Sequence, residues 1–228
     1  MHELSASEIM GVWERGRSAT LPERALDLLA VGGYSGQPES LAVGDRDTLL
    51  VELRERTFGA AISAVDSCPS CGELLEVELA AADLRGEVPS RELLELVTEG
   101  GIVRFRLPTA GDLVAVAGAA DVGEGRRILL ERCVEGELSP VHEEAVVARM
   151  AEADPGAWTD LALECPGCGH TWTAAFDIVS FLWAELDSCA RRLLADVHTL
   201  ASAYGWREGD VLALSPSRRE AYLELVAR

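Results

Sequence analysis

The stretch "SCPSCGELLEVEL" runs from Ser67 to Leu79, and "ECPGCGHTWTAAF" runs from Glu164 to Phe176. Each contains a Cys-Pro-x-Cys-Gly turn followed by a segment of alternating character. Two thiolates three positions apart share a metal ion only where the backbone turns sharply, and glycine tolerates the left-handed conformation such a turn needs. One turn supplies two ligands, whereas a structural zinc takes four at about 2.3 Å in a tetrahedron. The spacing therefore predicts that Cys68, Cys71, Cys165 and Cys168 hold one structural Zn²⁺ in a zinc ribbon whose halves are separated by an insertion. His170, two residues past Cys168, is a possible replacement ligand. A pair of redox CxxC motifs would need a βαβ context, but here a strand pattern follows each pair.

Charge limits the partners. There are 39 acidic residues against 20 basic, a net charge of −19. A nucleic-acid binder displaces counterions with a basic stripe, and the doublets Arg126–Arg127, Arg191–Arg192 and Arg218–Arg219 read instead as solvated helix faces. Lysine and asparagine are both absent, which removes lysine Schiff bases, the P-loop lysine and a Cys-His-Asn triad. No run approaches the ~18 apolar residues of a membrane span. The first residues lack the basic-then-apolar pattern of a signal peptide, so the expected location is cytoplasmic.

Nothing in the sequence makes a convincing active site. His142 is followed by Glu143 and Glu144, but Val146 stands where an HExxH motif needs its second histidine. Cys133 and Cys189 lie among leucines in helical patterns and read as structural thiols. His142 and His198 are isolated. The expectation is a non-enzymatic protein with no small-molecule substrate.

The fold class expected is α+β and predominantly helical. Residues 1–60 read as an N-terminal helical segment: Ser5 or Ser7 caps a helix, Pro22 opens a second, and Leu49, Leu50, Leu53 and Phe58 space a third ending at Gly59. Residues 61–86 form the first half of the ribbon, where Leu75, Val77 and Leu79 alternate with Glu76 and Glu78. Residues 87–156 are a mainly helical insertion with a strand at Val103, Phe105 and Leu107, and with Thr109 and Asp112 in capping positions. Residues 157–177 form the second ribbon half. Residues 178–228 are a C-terminal helical segment, whose long helix has an apolar face including Leu182, Trp183, Leu186, Leu193, Leu194, Leu200 and Tyr204.

"RFRLPTAGDLVAV" (Arg104 to Val116) and "VHTLASAYGWREGDVLALSPSRREAYLELV" (Val197 to Val226) resemble the family of T-even-type phage baseplate hub assembly proteins and their relatives in contractile injection systems. The matching positions are Arg106, Leu107, Pro108 and Thr109, then Ala201, Tyr204, Trp206, Leu214, Arg218, Arg219, Tyr222 and Leu223. Many relatives in injection-system clusters carry the two CPxCG knuckles as well. The resemblance spans roughly the last two-thirds of the chain and leaves the first forty residues without a counterpart. It implies a structural or assembly (chaperone-like) role in a contractile, phage-tail-like baseplate, with baseplate or hub proteins as partners and incorporation into the particle as one destination. Tyr204, Trp206, Arg218, Arg219 and Tyr222 are the expected partner-binding residues, because aromatic and arginine side chains dominate interface hot spots. The alternative is a zinc-ribbon adaptor or nucleic-acid-associated module unrelated to tails, and the acidic knuckle surroundings of Glu73, Glu76, Glu78 and Glu164 speak against it.

Overall fold

Ser5 starts the first helix. In the computed structural model, which describes residues 1–86, 93–98 and 101–227, α1 (Ala6–Gly16) opens on a reciprocal cap. The Glu8 carboxylate accepts the Ser5 N–H at 2.8 Å, and the Ser5 hydroxyl accepts the Glu8 N–H. At α2 (Leu21–Val31) the Glu23 carboxylate accepts both the Thr20 N–H at 2.7 Å and the Thr20 hydroxyl at 2.8 Å, with Pro22 in the first turn. Helix α3 (Val43–Phe58) begins ahead of the periodic stretch that announced it and ends, as expected, at Gly59.

These helices pack on α7 (Ile178–Tyr204), the longest element of the chain. Leu28, Leu29, Leu50, Leu53, Leu182 and Leu186 are fully buried between them. Polar ties fix the assembly. Trp13 Nε1 donates to Asp187 at 2.7 Å, Gly16 leaves room for the Trp183 ring, and Arg24 lies over that ring at 4.1 Å. Arg54, almost wholly buried, forks onto Glu185 of α7 at 2.6 and 2.9 Å. It also donates to the carbonyls of Gly59 and Ala61, so the end of α3 is bound to α7 and to the strand that follows.

Three antiparallel hairpins complete the α+β architecture, and no ladder joins one to another among the described residues. The first pairs β1 (Ala61–Ser67) with β2 (Leu74–Ala80), and the last pairs β5 (Thr159–Glu164) with β6 (Thr171–Phe176). Between them in sequence, β3 (Leu94–Thr98) pairs with β4 (Gly101–Phe105). Strand β4 includes Val103 and Phe105, where a strand was expected, and β3 is a partner strand that was not. The β3–β4 hairpin packs with α5 (Val122–Cys133) and α6 (Glu143–Ala153) around a second core of Phe105, Leu107, Leu130, Cys133, Val146 and Met150. The short α4 (Ala110–Val116) carries the cap read from sequence, with the Thr109 hydroxyl accepting the Asp112 N–H.

The expected insertion boundary at residue 87 lies outside the described residues. On its near side, Gly86 lies so close to Gly156 that a Cβ on it would stand 2.7 Å from the Gly156 Cα. Gly156 in turn lies against Gly44. Three backbone segments converge where the insertion leaves and rejoins the chain, and at position 86 only glycine permits that approach.

The long helix buries a slightly different face from the one expected. Ala190 is fully buried, whereas Leu194 and Tyr204 are 39% and 41% exposed. The distal part of α7 still buries Leu193 and Leu200, and it turns Leu194 and Tyr204 away from that face. It stops at Gly205, in the left-handed region at φ 66°. Helix α8 (Glu208–Leu212) returns to bury Val211 completely, while α9 (Pro216–Val226) buries no residue fully. No helix among the described residues is long and apolar enough to cross a membrane.

Candidate metal centre

The two cysteine turns have one geometry. At the first, Cys68 N–H donates to Glu73 O at 2.8 Å and Gly72 N–H donates to Cys68 O at 2.8 Å. At the second, Cys165 N–H donates to His170 O at 2.9 Å and Gly169 N–H donates to Cys165 O at 2.9 Å. Gly72 and Gly169 have φ of 77° and 71°, the left-handed conformation for which glycine was expected there. In each turn the first cysteine is buried and the second exposed.

The turns face each other and bring the four thiols together. All four sulfurs lie within 4.8 Å of one another. The shortest separations cross between the turns: Cys68 Sγ to Cys168 Sγ is 3.7 Å, and Cys71 Sγ to Cys165 Sγ is 3.6 Å. A tetrahedron of sulfurs around zinc has edges of about 3.8 Å, so the cluster has the size of a single Cys₄ site.

The chemistry of the donors agrees. Burial pushes the Cys68 thiol up, but the N–H groups of Cys71 and Ser70 and the neighbouring thiols outweigh it and hold the group at about 7. At Cys71 the Glu73 N–H favours the thiolate, yet the three other thiols prevail and push the group up to about 12. Four sulfurs so close cannot all ionise unaided; a cation at their centre removes that conflict. The cluster is compatible with one metal ion. His170 instead stacks on Trp172, with ring centroids 6.1 Å apart.

Apart from the cysteine cluster, little links the two hairpins. Their strands alternate between half-buried and exposed residues, and only Ile62 is buried. Trp172 Nε1 donates to Asp66 at 3.2 Å, and the Glu73 side chain crosses to Gly167 of the opposite turn, leaving no room there for a Cβ.

The Arg106–Thr109 motif makes a polar hub in the insertion. Asp112, 1% exposed, receives Arg106 Nη1 at 2.5 Å, Arg132 Nε at 2.7 Å and the Thr109 N–H at 2.9 Å. Desolvation pushes its carboxyl up, but these bonds prevail and hold it far below the usual carboxylate range. Pro108 and Thr109 lie along the entrance to α3: Pro108 O accepts the Val43 N–H at 3.3 Å, and Ala42 bridges Thr109. Burial pushes the neighbouring Cys133 thiol up to about 11, in keeping with a structural cysteine.

At the far end of α7, the three expected aromatics form one cluster. Tyr204 stacks on Trp206 at 4.8 Å, and Tyr222 meets Trp206 edge-on at 4.8 Å. Arg219 reaches back to Asp196 at 3.0 Å, while Arg218 is exposed.

These features define a protein built from two packed cores and a four-cysteine cluster, with an arginine-bound aspartate at the hub of the insertion. The chain belongs to the phage baseplate family described as "T4 bacteriophage base plate protein", whose family model matches residues 24–137. That region takes in most of α2, all of α3, the first cysteine turn and the Arg106–Thr109 motif. It thus includes residues 24–40, for which the resemblance offered no counterpart, and it ends before the C-terminal pattern that suggested the family. No curated protein and no solved structure matches the chain.

Proposed function

We propose that this chain is a non-enzymatic structural or assembly protein of a contractile, phage-tail-like baseplate, stabilised by one structural Zn²⁺ bound to Cys68, Cys71, Cys165 and Cys168. Family membership supports the baseplate, and the four-thiol cluster supports the ion. An all-thiolate donor set favours zinc over magnesium or calcium, which prefer oxygen ligands. Zinc supplies a fixed tetrahedral cross-link without redox chemistry.

The observation that carries this reading is the pairing of sulfurs 94 and 100 positions apart. Such a clamp closes a long loop and holds two thin hairpins that have almost no core of their own. Its role is rigidity, which a baseplate component needs in order to present the same surface in every copy. The partners are other baseplate or hub proteins. The aromatic cluster of Tyr204, Trp206 and Tyr222, with Arg218 and Arg219 on the helix that carries Tyr222, is one contact surface for them. The cytoplasm is the place of assembly, and the finished particle is the destination of a retained component.

Mass spectrometry of purified contractile particles tests this function. A retained component appears at a fixed copy number per baseplate, and an assembly chaperone appears only in precursor complexes. Absence from both contradicts the proposal.

A further inference from the structure

The ribbon hairpins leave a slot between them. It is a groove of about 710 Å³ bordered by β1 and β6, with Phe181 and Ser180 of α7 among its lining. Consecutive residues of each strand line it, Ala64 to Ser67 on one side and Trp172 to Phe176 on the other. Of β2 and β5 only Val77, Leu161 and Leu163 line it, the partners of Ala64, Ala174 and Trp172 on one face of each hairpin, so the groove lies between the two hairpin faces and opens along the edges of β1 and β6. Among the described residues, β1 pairs only with β2 and β6 only with β5. The Trp172–Asp66 hydrogen bond crosses between the two strands, but no backbone ladder does. Two open edges of six to seven residues thus border one groove.

Open edges recruit strands unless they are blocked, and here charge selects the recruit. Asp66 and Asp177 line the groove with no basic residue among its lining, and six further carboxylates and no arginine or lysine lie elsewhere in residues 59–84 and 157–177. A second copy of this chain would bring the same charge against itself, and nucleic acid would be repelled. We propose that the slot takes an extended, arginine- or lysine-bearing segment of a partner protein, which adds as a strand to β1 or β6. Main-chain hydrogen bonds supply the affinity and the acidic surroundings select the sequence. This deepens the baseplate reading by naming the chemistry of a partner segment, and it rests on that reading only in assigning the segment to a baseplate neighbour.

The test uses the isolated full chain, so it stands whether or not the protein is found in particles. The probe is a capped peptide of about eight residues alternating arginine with valine, matched to the strand length. Amide chemical shifts are expected to change, saturably, at Ala64–Ser67 and Thr173–Phe176. The dissociation constant should rise at least about tenfold between 50 and 500 mM salt, as screened charge attraction requires. A glutamate–valine peptide should not bind, and N-methylation of alternate peptide bonds in the arginine peptide should abolish binding. Ala174→Arg, with metal content unchanged as the folding control, should lose the interaction. Absence of shifts overturns the proposal. So do shifts spread over the whole acidic surface, or equal binding of the N-methylated peptide, since either outcome means charge attraction without strand addition.

Discussion

Asp154 accepts a hydrogen bond from the Gly44 N–H at 3.0 Å, across 110 positions of sequence. Helix α3 begins at Val43 after Ala42, which has no side chain able to cap it. Two of its orphan N–H groups are met from outside, Val43 by Pro108 O and Gly44 by Asp154. The insertion thus docks by supplying the cap that the helix lacks. A Cβ on Gly44 would stand 2.0 Å from Asp154 Oδ1. Gly44→Ala is therefore expected to destabilise by about 1–3 kcal/mol, despite alanine's better helix propensity. Asp154→Ala should cost about 1 kcal/mol through the lost cap. Thermal unfolding of both single variants and the double variant checks the coupling, which appears as a double-variant cost smaller than the sum.

The Asp112 hub offers a separate test. Arg106→Ala leaves a buried carboxylate with Arg132 as its remaining ion-pair partner, and removal of one member of a buried pair costs about 3–5 kcal/mol. Asp112→Ala strands two arginines that are 41% and 46% exposed and can rehydrate, so it should cost less than Arg106→Ala. Denaturant unfolding orders the two; the reverse order would show that the buried charge is not the dominant cost.

A pH dependence follows from Asp47. Burial pushes its carboxyl up to about 6 against the attraction of Arg46, and the nearby carboxylates Asp177 and Asp154 add to the rise. With the folded value above the unfolded one of about 4, the folded state holds the extra proton in that interval. Ionising Asp47 therefore costs stability as the pH rises through 6. The wild type should gain on Asp47→Asn by on the order of 1–2 kcal/mol as the pH falls from 7.5 to 5. Comparing the two proteins at each pH cancels effects common to both, including thiol protonation. A difference that stays flat across this range refutes the assignment.

The C-terminal segment divides at Ser215. Deleting residues 215–228 removes α9, which buries no residue fully, and should leave the fold and the metal content unchanged; the proposed contact surface at Tyr222 and Arg218 predicts weaker binding of baseplate proteins by this truncation. Deleting residues 207–228 also removes Val211, which is fully buried, and should lower the unfolding temperature by several degrees. Equal stability of the two truncations would show that α8 is not part of the core.

How much of this was legible in the sequence depended on how local the signal was. Ser5, Gly59, Gly205 and Pro216 mark helix ends through their own backbone or side-chain chemistry, and the structure places helix ends where they stand. The four cysteines could be read across a long gap because one turn supplies half a shell and so demands its complement. Strand β3 gave no such demand: "LELVT" carries leucine and glutamate in a pattern that also suits a helix, and its partner β4 decides the matter. The Asp154–Gly44 cap was invisible because its only local trace is an alanine at the cap position. Arg106 and Thr109 were noticed as a motif, but their shared purpose became clear only when Asp112 was found between Arg106 and Arg132.

The metal clamp is the central claim, and elemental analysis tests it most directly. Protein purified without added metal should hold one equivalent of zinc per chain, lost together with folding stability in Cys68→Ser or Cys165→Ser and retained in Cys133→Ala. A wild-type chain that is folded and fully stable with no bound metal would contradict the account.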